Sequence, residues 1–181
     1  MEEASATKHE YVDGEIFDYH TTDIYGLAGA TQQHNLIAGN IYAHLWNAAR
    51  GGPCRVFGSD MRLRMGDSKI YYPDVQVVCD PTDTETNHTR RPCLIVEVLS
   101  PSTESIDLRE KWAAYGTLES LRAYLIVWRD QMRILEHYRA EEDQWFTAFH
   151  GRGSSFTLQC PEVRLHLDEI YEGVELPVGG G

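Results

Sequence analysis

Apolar and polar positions alternate with two different periods along the chain. Residues 31–50, TQQHNLIAGNIYAHLWNAAR, repeat apolar side chains at about 100° per residue, which predicts a helix. Thr31 is the expected N-cap, and the Gly-Gly-Pro sequence at 51–53 is expected to end the helix. Residues 54–65 alternate with a period of two, and residues 69–80 form a second extended apolar segment. Each is predicted to be one strand.

The other segments follow the same two periods. The predicted elements are an N-terminal hairpin around Asp13-Gly14, a buried strand over 93–99, a helix over 106–115, a strand pair over 122–139, strands in QWFTAF and FTL, and a helical turn in HLDEIYE. This order predicts an α/β (α+β) fold with a mixed central sheet flanked by helices. The expected organisation is a single domain over 1–176, followed by a flexible tail over 177–181.

Composition places the chain among ordinary globular proteins. It has 181 residues, of which 42% are hydrophobic and 24% charged. No apolar run approaches the roughly 18 residues of a membrane helix, and the acidic N-terminus does not fit a signal peptide. We therefore expect a cytoplasmic protein that does not contact membranes. The four cysteines are scattered without C-x-x-C spacing, so we expect reduced thiols and no cysteine zinc site.

Net charge limits the choice of partner. The chain carries −12, and strong sequence-independent binding to duplex DNA requires many Lys and Arg contacts to phosphates. A local basic groove stays compatible with this charge.

The most informative residue is Glu97, which lies at the centre of the apolar run LIVEVL. An unpaired carboxylate is strongly disfavoured in a buried strand, so Glu97 has either a partner or a role in a site. Asp74 lies in the preceding predicted strand, directly after Pro73. On a helical wheel of the following helix, Lys111 falls beside the apolar stripe, from where its long stem can carry the ammonium to Glu97.

Two carboxylates and a lysine form a chemically useful set. Divalent cations such as Mg²⁺ bind one or two carboxylates together with substrate phosphate. Such a cation activates water and neutralises charge on the phosphoryl group. A lysine can orient the nucleophile or stabilise developing negative charge.

Structural roles explain the same residues without chemistry. Asp74 also fits a turn residue, and Asp107 and Lys111 fit a surface ion pair at i, i+4. Glu97 and Lys111 also fit a buried pair with no function. His34 shares the apolar helix face with Ile37, Ala38, Ile41, Leu45 and Ala48. It is either a hydrogen-bonded core histidine or, if that face meets the sheet edge, an auxiliary base or substrate contact.

The segments YYPDVQVVCD and LIVEVLSPSTESIDLREKWAAY resemble the Uma-two family of small bacterial proteins, described as putative restriction endonucleases. That family lies in the PD-(D/E)XK nuclease-like superfamily. The resemblance spans nearly the whole chain, and it implies a restriction-endonuclease-like fold with a divalent-metal site.

The resemblance also implies roles for individual residues. Asp74 and Glu97 would be the acidic residues of the motif, with the Val98 carbonyl as a further metal ligand and Mg²⁺ or Mn²⁺ as the cofactor. The usual lysine position is occupied by Leu99 here, and Lys111 on the following helix would replace it. His34 lies where related nucleases often have an acidic residue.

The leading hypothesis is a metal-dependent nuclease in which Asp74, Glu97, Lys111 and His34 form the catalytic set. Two alternatives stay open: a non-catalytic module that binds nucleic acid or protein, and a metal-dependent hydrolase of small nucleotides. A homodimer is also expected, since many nucleases of this type pair to cut two strands.

Overall fold

The computed structural model describes residues 9–12, 15–18, 31–99, 107–140 and 143–177. The strands are β1 His9–Val12, β2 Glu15–Asp18, β3 Arg55–Gly58, β4 Arg62–Met65, β5 Lys69–Tyr71, β6 Val75–Val78, β7 His88–Thr89, β8 Leu94–Leu99, β9 Ala123–Trp128, β10 Arg133–Arg139, β11 Trp145–Gly151, β12 Ser155–Gln159 and β13 Glu162–His166. The helices are α1 Gln32–Ala49, a π-helical turn Asp107–Lys111 that continues into α2 Trp112–Tyr115, and α3 Leu167–Ile170.

A six-stranded mixed sheet forms the centre of the molecule, with strand order β11-β10-β9-β8-β6-β3. Strands β8 and β9 are parallel, and the other neighbours are antiparallel. Alternate residues of β8 enter two separate apolar cores, since Val96 and Val98 pack with α1 whereas Ile95 and Leu99 pack with α2. The predicted fold class, a mixed sheet flanked by helices, is confirmed.

Two smaller sheets accompany the central one. A five-stranded sheet has the order β2-β1-β5-β4-β7 and contains the N-terminal hairpin, in which Tyr11 pairs with Ile16. The hairpin β12–β13 forms a two-stranded sheet, and its apolar residues Phe156, Leu158 and Leu165 join the core on the α1 side.

The two long strands predicted over 54–65 and 69–80 are each divided in the structure. A turn after Gly58 separates β3 from β4, and residues 72–74 separate β5 from β6. In both cases the first and second halves belong to different sheets. Pro73 gives the second break its physical reason, because proline cannot donate to a strand ladder. Asp74 consequently lies just before β6 instead of within a strand.

Helix α1 matches its sequence prediction closely. The Thr31 hydroxyl accepts a hydrogen bond from the His34 backbone N–H at 3.3 Å, as an N-cap does. The buried positions are Ile37, Ile41, Leu45 and Ala49. The prediction that Ala48 shares this face is wrong, because Ala48 is exposed and Ala49 takes its place at i+4 from Leu45.

The prediction of scattered, reduced cysteines is also wrong. Cys54 pairs with Cys79 and Cys93 pairs with Cys160 in two disulfides. The four residues come from four separate segments, and the sheet brings them together. Sequence spacing carried no signal for this arrangement, since the pairs are separated by 25 and 67 residues.

Within the described residues, no helix combines the length and apolar content needed to cross a membrane. The single-domain boundary at 176, the tail over 177–181, the cytoplasmic location and the homodimer stay predictions.

We expect Leu45→Ala to destabilise the fold by about 2–5 kcal/mol, because the Leu45 side chain is fully buried between α1 and the central sheet. Asn47→Ala is the matched control on the same helix, since Asn47 is exposed and its replacement should change stability by less than about 0.5 kcal/mol. Urea unfolding followed by circular dichroism measures both. Equal effects of the two variants would contradict the assigned helix face.

Candidate active site

Glu97 lies on the face of β8 that meets α2, and its side chain is almost fully buried. Its Oε1 atom accepts a hydrogen bond from Lys111 Nζ at 3.1 Å and a second from the Tyr115 hydroxyl at 2.9 Å. Lys111 is 5% exposed and Tyr115 is fully buried. Because an isolated buried carboxylate is strongly disfavoured, these two donors explain how the central strand accommodates Glu97.

The helical segment after β8 turns Lys111 toward the sheet. The π-helical turn Asp107–Lys111 leads directly into α2, which places Lys111 and Tyr115 one turn apart on one face. Glu110, directly before Lys111, is exposed, whereas Lys111 is buried. The predicted burial of Lys111 and its contact with Glu97 are both present in the structure. The predicted surface pairing with Asp107 cannot be compared, because the Asp107 side chain lies outside the described residues.

Asp74 is held where strand β6 begins. Val75 pairs with Val96 in the antiparallel ladder, so continuation of this register places Asp74 opposite Glu97 and Pro73 opposite Val98. At that position the Val98 backbone N–H donates to Asp74 Oδ2 at 2.7 Å instead of to the strand backbone. The Asp74 carboxylate therefore satisfies a strand N–H at the point where the backbone hydrogen bonds between β6 and β8 end. Asp74 is 6% exposed.

His34 is the second partner of Asp74. It lies in the first turn of α1, and its Nε2 atom is 3.0 Å from the same Oδ2 atom. Since a carboxylate accepts hydrogen bonds, Nε2 carries the proton, and in a neutral ring Nδ1 is then the basic nitrogen. Nδ1 is buried, and none of the described residues binds it. The first turn of α1 thus contacts the start of β6, which is an inner strand of the central sheet. The role of His34 as an auxiliary base or substrate contact stays a prediction.

Sequence reasoning missed two features of this site. The first is Tyr115, whose ring packs against Tyr71 and Tyr124 and whose hydroxyl binds Glu97. The available signal was its position four residues after Lys111. Val98 contributes its backbone N–H to Asp74. The role of its carbonyl as a metal ligand stays a prediction.

The donor set suits a hard divalent cation. The buried charged side chains of this site are the carboxylates of Asp74 and Glu97 and the ammonium of Lys111. A bound cation would offset the one negative charge that Lys111 does not balance. None of the described residues donates a hydrogen bond to Asp74 Oδ1, which is therefore available as a ligand. His34, Asp74 and Glu97 do not form a described group of three with all ligand atoms within 4.8 Å. A cation would take its other ligands from water, backbone or substrate, as Mg²⁺ commonly does.

A basic cleft of about 480 Å³ lies beside α2. Its lining contains four cationic residues and no acidic one: Arg64, Lys69, Arg90 and Arg91. Ala113 and Ala114 of α2 also line it, so the same short helix supplies a wall of the cleft and the Tyr115 contact to Glu97. Arg64 pairs with the exposed Asp67 at 3.0 Å, which is a weak, solvent-screened contact.

Comparison with protein families matches residues 1–168 to Uma2, described as "Putative restriction endonuclease". The chain belongs to the Uma2 (Uma-two) family. Similar curated proteins are the uncharacterized proteins slr1290 and sll1609 of Synechocystis sp. (strain ATCC 27184 / PCC 6803 / Kazusa). The first is 31% identical over 96% of this chain and 88% of its own length, and the second 34% identical over 80% and 79%.

A solved structure shares the fold of this Uma2 protein. It is the crystal structure of a putative nuclease belonging to DUF820 from Anabaena variabilis ATCC 29413. The two chains superpose with a TM-score of 0.72 at 14% sequence identity, over 93% of this chain and 92% of the other. This agreement supports the mixed sheet and flanking helices, and it confirms the predicted family resemblance at the level of fold.

The Glu97–Lys111 pair can be measured with a double-mutant cycle. We expect Lys111→Met to destabilise the protein by about 3–5 kcal/mol, because it leaves Glu97 buried without its cation. The double variant Glu97→Gln/Lys111→Met should recover part of that loss, since no uncompensated charge remains. The measurement is the free energy of unfolding in urea for the wild type, both single variants and the double variant. Additive losses would contradict direct coupling of the two side chains.

Proposed function

We propose that this Uma2 protein is a divalent-metal-dependent nuclease that hydrolyses phosphodiester bonds in nucleic acid. The observation that carries the proposal is the placement of Asp74 and Glu97. Asp74 directly precedes β6 and Glu97 lies on the neighbouring strand β8. Both are buried, with Val98 bonded to Asp74 and Lys111 bonded to Glu97. Rigid strands that present two carboxylates with a lysine are a suitable mount for a metal-assisted hydrolytic site.

Each residue has an assigned role in this proposal. Asp74, Glu97 and the Val98 carbonyl would hold Mg²⁺ or Mn²⁺, which when bound supplies an activated water and neutralises charge on the phosphoryl group. We assign to Lys111 the orientation of the attacking water. Its ammonium bonds Glu97, which places a cationic N–H donor group beside a proposed metal ligand.

His34 and Tyr115 act as positioning residues in the same scheme. His34 fixes Asp74 through Oδ2 and leaves Oδ1 toward a ligand. Tyr115 fixes Glu97 through Oε1, together with Lys111. The donors that fix Asp74 through Oδ2 preorganise this carboxylate for binding through Oδ1, which reduces the cost of ordering the site.

The basic cleft favours a polymeric substrate over a small nucleotide. Four cationic side chains in one cleft provide a local site for phosphates on a chain whose total charge is −12. Ala113 and Ala114 of α2 line the cleft, and Tyr115 of the same helix donates a hydrogen bond to Glu97. We therefore assign it to the sugar-phosphate backbone of the substrate. A non-catalytic binding module would use the same cleft and is distinguished by the first experiment below.

Glu97→Gln and Asp74→Asn should each lower metal-dependent cleavage at least about 100-fold, because each removes an anionic metal ligand while keeping the side-chain size. Glu110→Gln is the matched control: Glu110 is an exposed carboxylate beside Lys111 and should cleave like the wild type. Single- and double-stranded DNA and RNA are incubated with each protein in Mg²⁺ or Mn²⁺, with a chelator control.

Three outcomes separate the alternatives. Wild-type cleavage that persists in Glu97→Gln would contradict the site assignment. Metal binding by calorimetry without cleavage of any polymer or nucleotide would favour the binding module. Cleavage of nucleotides alone would favour a small-molecule hydrolase.

The cleft gives a separate prediction about salt dependence. Arg64→Gln/Lys69→Gln should weaken nucleic-acid binding and reduce the slope of log K against log[salt] by about two, because each contact to a phosphate contributes about one. Arg152→Gln is the control, since Arg152 is exposed and does not line the cleft. The measurement is fluorescence anisotropy with labelled DNA at several salt concentrations. An unchanged slope would contradict the assignment of the cleft to phosphates.

A further inference from the structure

All four cysteines of the chain converge at one place. The sulfur atoms of Cys54, Cys79 and Cys160 lie within 4.8 Å of one another. Across the two disulfides, the sulfurs of Cys79 and Cys160 are 3.2 Å apart and those of Cys93 and Cys79 are 3.5 Å apart. Two independent disulfides would require only that the two sulfurs within each pair are close. Here sulfurs of different pairs are also within 3.5 Å of each other.

Strand ends explain the convergence. Cys54 directly precedes β3 and Cys79 directly follows β6, and these strands are antiparallel with Arg55 opposite Val78. Cys93 directly precedes β8, and its backbone N–H donates to the Val77 carbonyl. Cys160 lies in the turn between β12 and β13, whose core residues pack on the same side of the sheet. Regular secondary structure therefore fixes the positions of the four residues.

We propose that the reduced form of this cluster binds one Zn²⁺ through the four thiolates of Cys54, Cys79, Cys93 and Cys160. Four thiolates around one ion are a common structural zinc site. A tetrahedral site with Zn–S distances of about 2.3 Å has sulfurs about 3.8 Å apart. The 3.2 Å and 3.5 Å separations between the pairs are close to that spacing. The disulfides and the zinc complex are thus two states of the same four sulfurs.

The chemistry balances with a phosphine reductant. Reduction of the two disulfides takes four electrons and four protons, which two equivalents of phosphine and water supply, and gives four thiols and two phosphine oxides. Binding of Zn²⁺ then releases the four thiol protons.

The surroundings suit such an ion. Cys93 is 7% exposed, and the other three cysteines are half-buried. A surface cavity of about 370 Å³ reaches Cys93 and gives access from solvent. The charged residues that line the cavity are two cationic and two acidic ones, Arg91, Arg122, Asp80 and Glu119, so its entrance is polar without a net charge.

The cluster is separate from the carboxylate site. Cys79 follows Asp74 by five residues along β6, and Cys93 precedes Glu97 by four along β8. At about 3.3 Å per residue the two sites lie about 13–16 Å apart, at opposite ends of the same strand pair. The zinc proposal therefore stands independently of the proposed nuclease function, and its role is to fix the strand ends.

The experiment titrates the phosphine-reduced full chain with Co²⁺ and then Zn²⁺ under argon. We expect thiolate-to-cobalt charge-transfer absorption that saturates at one ion per chain and disappears when Zn²⁺ displaces Co²⁺. Zn²⁺ should also protect all four thiols from alkylation, as counted by mass spectrometry. Absence of the charge-transfer band, or alkylation that Zn²⁺ does not slow, would overturn the proposal.

Cys160→Ser should lose at least about 100-fold in zinc affinity, because it removes a direct ligand from the turn between β12 and β13. Ser120→Ala is the control, since Ser120 lines the same cavity without a sulfur atom and should bind like the wild type. Circular dichroism verifies that each variant is folded. If Cys160→Ser fails to fold, the wild-type cobalt and alkylation results decide the proposal alone. Equal zinc affinity of Cys160→Ser and the wild type would overturn it.

Discussion

Two carboxylates buried at the junction of β6 and β8 constrain much of the surrounding structure. Because both are almost fully buried, leaving either without a hydrogen-bond partner would be strongly unfavourable. Asp74 draws its partners from the Val98 amide and from His34 on α1. Glu97 draws its partners from Lys111 and Tyr115 on the segment that follows β8. Two helices on different sides of the central sheet are thus tied to one point of it by hydrogen bonds.

Local patterns in the sequence predicted these contacts unevenly. The helical wheel was sufficient to predict that Lys111 faces the sheet, because helical periodicity decides which side chains of a helix point toward the sheet. It also identified most of the buried face of α1, except that it placed Ala48 where Ala49 lies. The Tyr115 hydroxyl was missed, since a tyrosine in an apolar stripe gives no sign of which polar group its ring will reach.

Non-local features were beyond such reasoning. The division of 69–80 into β5 and β6 assigns its two halves to different sheets, and only tertiary pairing decides that. The cysteine cluster is a stronger case, because its members are separated by up to 106 positions, from Cys54 to Cys160. The spacing of the cysteines along the chain gave no sign that they are close in space. The ends of the strands bring them together in the fold.

The charge distribution is compatible with the nucleic-acid substrate that we propose for this acidic chain. Net charge governs long-range attraction, whereas a cleft with four cations sets the potential where the phosphates would lie. Membership of the Uma2 family, described as "Putative restriction endonuclease", agrees with this proposal. In the proposed account, the carboxylate site serves the chemistry, the cleft binds the substrate, and the cysteine cluster fixes the strand ends.

The most direct test of the metal site is a crystal structure of the wild type soaked in Mn²⁺, with anomalous scattering data. The account predicts an anomalous peak from a Mn²⁺ ion that is bound by Asp74 Oδ1 and a Glu97 oxygen, with metal–oxygen distances of about 2.1 Å. A fully soaked crystal with no peak at these two carboxylates, and with Glu97 still bonded only to protein donors, would contradict it.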